Sequence, residues 1–399
     1  MAEKIMDVIL FTCGEGLGHT GRSITLGREL MSAGHTVHFG AYGYSKELIE
    51  KSGYTVCEIP QELKLVGKEG SLNLEASIRH TIKSMSLRNI LSVFRLVREK
   101  DPDIIVSDGY YLGILAARLK KIGTCMIVNQ SNMEEFFQSK GSAVGVLGIF
   151  VRRFYHFIYH TVDRIVVPDF PEPYTVCARN LAFPQDIRKK MTFSGPLVRK
   201  RFSEVEAPDM ASPHVLCTIG GFGYRREIFD KILVAAKMDH RINYTLIAGP
   251  SLDIGELGEI PENVNICSFI ADPFPYYKAS DLVISAGGHG TLMETLSFGL
   301  PLFSFPDQGH NEQENNAQVV DNRGYGRRLD YSVSAQELLS MICEVVFEGK
   351  FGENTAELRK QAESLYGPAS VRKLLESICT ETSKKCNLEV TPTFPSDRL

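Results

Sequence analysis

The chain has 399 residues, 44 of them lysine or arginine and 48 aspartate or glutamate, for a net charge of −4. That balance offers no basic field for nucleic acid, and 43% apolar with 23% charged residues is the composition of a folded chain rather than a disordered one. At about 150 residues per domain the length predicts two globular units, and the longest apolar run, 143–151, falls far short of the ~20 residues a spanning helix needs.

The stretch MAEKIMDVILFTC runs into glycines without a small-residue cleavage pattern, so the expected compartment is the cytoplasm. Nine cysteines without a CxxC pair read as reduced thiols. In chain order, a strand is predicted over 7–12, a helix over 20–33, a strand over 36–39 and a helix over 45–51. A long basic amphipathic helix over 73–98 precedes strands at 104–107 and 124–129. The rhythm restarts after 200, with strands at 215–219, 244–248, 264–267, 282–285 and 302–305 and helices over 225–238, 275–279, 290–298 and 313–322. A helical segment over 354–382 follows.

Strands separated by helices of this length imply parallel sheets with right-handed crossovers. The expected fold is therefore α/β: a first doubly wound, Rossmann-like domain over 1–198, a second over 199–380, and a polar tail over 381–399. Ligands of such sheets bind beyond the carboxyl ends of the strands, so two domains facing each other place the site in the cleft between them.

After the first strand comes Gly14-Glu15-Gly16-Leu17-Gly18-His19-Thr20-Gly21-Arg22, opening a helix whose N-terminus favours anionic oxygens. Gly16, Gly18 and Gly21 match the spacing GxGxxG. A nicotinamide site also wants a carboxylate at the end of the second strand, and the chain has His38-Phe39-Gly40-Ala41-Tyr42 there. His19 reads either as a structural side chain or as a base at the open end of the sheet; Glu15 or Asp108 could orient it or act in its place. Asp101-Pro102-Asp103 precedes a strand and reads as a turn rather than a metal-holding pair.

The second half carries Gly220-Gly221-Phe222-Gly223 after its first strand. It also carries Ser285-Ala286-Gly287-Gly288-His289-Gly290-Thr291-Leu292-Met293-Glu294, where a strand ends and glycines enter a helix. A helix start of that kind suits a diphosphate, with Glu294 one turn inside to meet ribose hydroxyls. Asp307-Gln308-Gly309-His310-Asn311-Glu312-Gln313-Glu314-Asn315-Asn316 then crowds polar side chains at a second helix start, beyond what capping needs.

These residues resemble the GT-B nucleotide-sugar glycosyltransferases, and most of all family 28, over about 5–375 and most strongly over 279–317. The resemblance implies that Phe269 and Ile270 meet a uracil and that Glu294 takes the ribose hydroxyls. Gly220, Gly221, Gly288, His289, Gly290 and Thr291 would hold the diphosphate, Glu312 and Gln313 would face the donor hexose, and Arg199 would reach the donor from the linker. His19 would stand on the acceptor side near the transferred group, with Gly18 and Arg22 beside it. The chain departs from the pattern in three places: no serine in 220–224, Ala286 where related enzymes carry a phosphate-binding histidine that His289 would replace, and Thr20-Gly21-Arg22 in the first loop.

The implied activity is inverting transfer of a hexose or N-acetylhexosamine from a UDP-sugar, with no metal and no further cofactor, the base being His19, Glu15 or Asp108. A UDP-sugar 2-epimerase of the same build, or a catalytically silent nucleotide-sugar binder, are the alternatives. The segment 143–159 sets apolar and aromatic residues beside Arg152 and Arg153, a composition suited either to a buried helix or to an anionic membrane surface and a lipid-linked acceptor. The protein would act as a monomer or homodimer.

Overall fold

The computed structural model describes residues 5–14, 17–62, 67–68, 71–72, 86–132, 142–219, 225–249 and 252–390. The first sheet contains β1 (Asp7–Thr12), β2 (Thr36–Ala41), β3 (Val56–Glu58), β6 (Ile104–Asp108), β7 (Gly123–Ile127), β8 (Arg164–Val167) and β9 (Met191–Phe193) in the order β3-β2-β1-β6-β7-β8-β9, all parallel. A small antiparallel ribbon, β4 (Gly67–Lys68) with β5 (Ser71–Leu72), stands apart from it. The second sheet runs β12-β11-β10-β13-β14-β15, also parallel, from β10 (His214–Thr218), β11 (Asn243–Ile247), β12 (Val264–Cys267), β13 (Leu282–Ser285), β14 (Leu302–Ser304) and β15 (Gly326–Arg328).

Central parallel strands are covered on both faces and so read as unbroken apolar runs. In β1 the alternation divides the side chains cleanly. Ile9 and Phe11 join one core with Ile105 and Met126, whereas Val8 and Leu10 join the other with Ile104 and Val106.

The helices that position the site are α1 (Leu17–Ser32), which follows β1, and others in chain order: α2 (Gly43–Lys51), α3 (Leu87–Lys100), α4 (Leu112–Lys120), α5 (Ser142–Thr161), α6 (Gln185–Arg188), α7 (Arg226–Met238), α8 (Phe274–Ala279), α9 (His289–Ser297), α10 (Asn311–Asn322) and α11 (Ala335–Val346). Of the helix expected over 73–98, residues 73–85 lie outside those described.

β1 pairs with both β2 and β6, and β10 with both β11 and β13, so each sheet reverses its winding at one point. The register there sets Thr12 beside Asp108 and Thr218 beside Ser285. Both glycine-rich loops leave the carboxyl ends of strands at these reversal points, where doubly wound folds bind their ligands.

One boundary expectation is corrected. The helix predicted over 354–382 is two helices, α12 (Gly352–Leu365) and α13 (Gly367–Val390), broken at Tyr366 with φ 25°. Val371, Leu375, Ile378 and Cys379 of α13 pack into the core with Val8, Leu10 and Val106, so the returning helix belongs to the first domain. It crosses the linker at Gly367, where a Cβ would collide with the Pro196 and Gly195 carbonyl oxygens, so only glycine fits.

Candidate active site

His19 is the third residue of α1 and keeps about a third of its side chain exposed. Its Nδ1 lies 2.6 Å from Asp108 Oδ1, at the carboxyl end of the neighbouring strand. Asp108 is fully buried and also receives Arg22 as a fork, Nε to Oδ2 at 3.0 Å and Nη2 to Oδ1 at 2.7 Å. Burial alone would push the Asp108 carboxyl up, but the Arg22 guanidinium and His19 outweigh it and its pKa falls. Arg22 Nη2 also lies 2.9 Å from His19 Nδ1, but it already donates to Asp108 Oδ1; the closer partner of Nδ1 is the ionised carboxylate, which can only accept, so Nδ1 carries the proton and Nε2 is left as the basic nitrogen. Arg22 Nη1 donates to Asn129 Oδ1 at 2.9 Å, and Asn129 Nδ2 donates to Glu312 Oε1 at 3.0 Å. Glu15 lies outside the described residues.

Opposite, α9 begins after Gly287, whose φ of +80° turns the chain out of β13, and Gly288 caps the helix. The N–H groups of His289, Gly290 and Thr291 occupy the first turn, where helices leave donors free for a ligand. The two loops touch: a Cβ on Gly290 would stand 3.1 Å from the Gly18 Cα. The first turns of α1 and α9 therefore converge, and their dipoles favour negative charge at the same place.

Farther along α9, Glu294 Oε2 accepts from the Tyr277 hydroxyl at 3.3 Å, and Oε1 lies 3.9 Å from Arg199 Nη2. Burial raises its pKa, against the pull of Arg199 and the Tyr277 hydroxyl. Arg199 lies over the Phe274 ring at 5.0 Å. Phe269 and Ile270 follow β12, Phe269 being 65% exposed. Gly220 and Gly221 lie outside the described residues, but the ends of their loop are clamped: Arg225 Nη1 donates to the Ile219 carbonyl at 2.8 Å while its Nε donates to Asp307 Oδ1 at 2.9 Å.

On α10, Gln313 is buried and accepts the Asp307 N–H at 2.9 Å, so its carbonyl end shapes the loop leading into the helix. Asn180, fully buried, donates to Asn316 Oδ1 at 2.9 Å and accepts from Asn315 at 2.8 Å, binding α10 to the first domain. Asn129, Asn180 and Arg225 stand in none of the motifs of the sequence. Each acts through a partner more than eighty positions away, which no local spacing announces.

The expectation that the His289 ring replaces the missing phosphate-binding histidine is corrected. The ring is buried with its Nε2 3.5 Å from Asp169 Oδ2 and both nitrogens without a hydrogen-bond partner among the described residues, so only its backbone N–H remains at the helix start. Asp169, Cys177 and His289 bring ligand-type atoms within 4.8 Å of one another. Asp169 already accepts the N–H groups of Phe170, Val176 and Cys177. Burial and the neighbouring Asp169 push the Cys177 thiol well up. The trio is thus a packed contact between domains, with a saturated carboxylate and a neutral thiol, and fits a metal poorly.

Residues 245–366 match the glycosyltransferase family 28 C-terminal domain. A protein of Methanosarcina acetivorans named as an uncharacterized glycosyltransferase is 50% identical over 382 residues, covering 96% of this chain and 100% of its own. The UDP-N-acetylglucosamine–N-acetylmuramyl-(pentapeptide) pyrophosphoryl-undecaprenol N-acetylglucosamine transferase of Rickettsia africae is 23% identical over 407 residues, 90% of this chain and 97% of its own. The crystal structure of CalG4, the calicheamicin glycosyltransferase, has a TM-score of 0.72 at 18% identity and covers 95% of this chain and 98% of that one, a likeness of fold. With two Rossmann-like domains closing on one cleft, the chain has the GT-B fold and belongs to the glycosyltransferase family of its Methanosarcina relatives.

Proposed function

We propose that the protein transfers a hexose or N-acetylhexosamine from a UDP-sugar to a hydroxyl or phosphate-linked acceptor, with inversion at the anomeric carbon and without a metal. The carrying observation is the contact of Gly18 with Gly290, which brings the His19–Asp108 pair of one domain against the free helix start of the other. The N–H groups of Gly290 and Thr291 and the α9 dipole would stabilise the leaving diphosphate, the task a bound cation performs elsewhere. Glu294, steadied by Tyr277 and Arg199, would accept the ribose hydroxyls, and Phe269 would lie against the base. His19 Nε2 would take the acceptor proton as the oxygen attacks from the face opposite the diphosphate, and Asp108 would stabilise the imidazolium that forms.

The acceptor in this reading is lipid-linked, as in the name of the Rickettsia relative. Ile149, Phe154 and Phe157 of α5 are exposed beside Arg152 and Arg153. An open cavity of about 640 Å³ next to them is lined by Arg152, Arg153, His156 and Arg188, an arrangement suited to anionic headgroups. No helix among the described residues is long and apolar enough to cross a membrane.

Incubation with a panel of nucleotide sugars, with and without polyprenyl-phosphate and small-molecule acceptors, tests the reading. Acceptor-dependent release of UDP, with a product of inverted anomeric configuration by NMR, is expected in metal-chelated buffer. Isomerised UDP-sugar without acceptor, or a strict divalent-cation requirement, would overturn it.

A further inference from the structure

Five side chains form one hydrogen-bonded chain across the cleft: His19, Asp108, Arg22, Asn129 and Glu312. Four come from the first domain and the last from the first turn of α10 in the second. Asn129 is the link between them, and its neighbours fix its amide without ambiguity. A guanidinium can only donate, so it faces Oδ1, and a carboxylate can only accept, so it faces the NH2 group. Asn129 stands two residues past β7, whose Ile127 is in register with Asp108, so one strand end carries the acid and its neighbour carries the bridge. α10 is itself seated by Asn180 through Asn315 and Asn316 and by Gln313 through Asp307.

We propose that Asn129 is a positioning residue that makes the alignment of the His19–Asp108 pair depend on the seating of Glu312. This deepens the function proposed above and rests on it for the role of His19. Arg22 divides its donors between Asp108 and Asn129, so holding Asn129 in place holds the fork on Asp108 and, through it, the imidazole. If α10 moves away from the first sheet, the 3.0 Å bond from Asn129 to Glu312 breaks, and the fork loses the support behind its second arm. The base is then in register only when the donor-side helix is seated, which disfavours attack by water on a half-assembled site.

Charge-swapped pairs test the proposal without relying on a single disruptive variant. In N129D the new carboxylate still accepts from Arg22 but meets the Glu312 carboxylate, and two acceptors of like charge cannot bond. In N129D combined with E312Q the glutamine NH2 donates to the aspartate and restores the link in reversed polarity. N129D is expected to lower kcat by about tenfold or more in the parent, with donor KM moving by less than about threefold, and to cost less than about threefold in the E312Q background. An equal cost in both backgrounds, or a loss confined to KM, would overturn the proposal. The same four proteins are compared by chemical denaturation, where a non-additive cycle supports the bridge and an additive one overturns it. If the parent transfers no sugar to any acceptor, the proposed function fails on its own test, and the denaturation cycle still decides the bridge.

Discussion

His19 Nδ1 donates to Asp108 Oδ1 across 2.6 Å, joining the third residue of a helix to the last residue of the strand beside it. The pairing fixes which imidazole nitrogen is basic, since the buried carboxylate holds the proton on Nδ1. His19→Ala should therefore lower kcat by about 10²- to 10⁴-fold with nucleotide binding retained. Asp108→Asn should cost a comparable factor, because an amide can donate to Nδ1 and stabilise the wrong tautomer. Steady-state rates with binding measured by calorimetry check both, and an H19A rate within about threefold of the parent would exclude a base role.

The contact between the two glycine loops predicts opposite outcomes for two superficially similar substitutions. A methyl at 290 would press on the Gly18 Cα at 3.1 Å, and backbone cannot swing away as a side chain can. Gly290→Ala is expected to reduce transfer strongly while the isolated sheets stay folded. A Cβ at Gly21 meets nothing within 4 Å and sits inside α1, so Gly21→Ala should leave activity intact and stabilise by about 0.5–1 kcal/mol. Thermal unfolding and turnover of the two variants decide, and loss of activity in G21A would mean that a ligand approaches that position.

That contrast also explains how far the sequence could be read. The third glycine of a dinucleotide fingerprint is needed for close packing, which Gly21 does not provide, in line with the missing acid after β2. Both sheets were legible because buried parallel strands such as β1 and β6 are continuous apolar runs, and the loops at their ends carry the glycines. Short strands such as Val56–Glu58 and Met191–Phe193 carry too few residues to show a period. The destination of α13 was hidden because its apolar stripe says that it packs without saying on what. Among site residues, those at strand ends and helix starts were visible, whereas Asn129, Asn180 and Arg225 gain their roles only from distant partners. The buried His289 ring was not legible, because a position at a helix start does not tell whether a ring turns to the cleft or to the core.

Glu294 offers a test of donor recognition. Its carboxylate is held by Tyr277 and faced by Arg199, which leaves acceptor capacity for a pair of ribose hydroxyls. A hydrogen bond to a charged group contributes roughly 1.5–3 kcal/mol, so Glu294→Ala should weaken UDP binding by about 10- to 100-fold. The parent should also prefer UDP to its 2′-deoxy analogue, and the variant should lose that preference. Calorimetric titration of both nucleotides checks this, and an unchanged preference in the variant would remove Glu294 from the ribose.

Glu62 gives the stability of the protein a dependence on pH. Buried beside the start of α4, it accepts the N–H groups of Tyr111 at 2.6 Å and Leu112 at 2.7 Å, which steadies the turn that follows Asp108. Burial pushes its carboxyl up to about 7, only partly opposed by those two amides. The ordinary value is about 4.3, so between about pH 4.5 and 7 the folded protein keeps a proton that the unfolded chain has released. Its contribution to stability is then complete below that window, falls as pH rises through it, and is level above. Glu62→Gln removes the titration, so the unfolding free energy of the parent minus that of the variant should decline by on the order of 3 kcal/mol from about pH 4.5 to 7. Denaturant titrations of both proteins across that range measure the difference directly. A difference that is constant or rises with pH would mean that Glu62 is ionised in the folded state throughout, and that the two amides, not burial, set its charge.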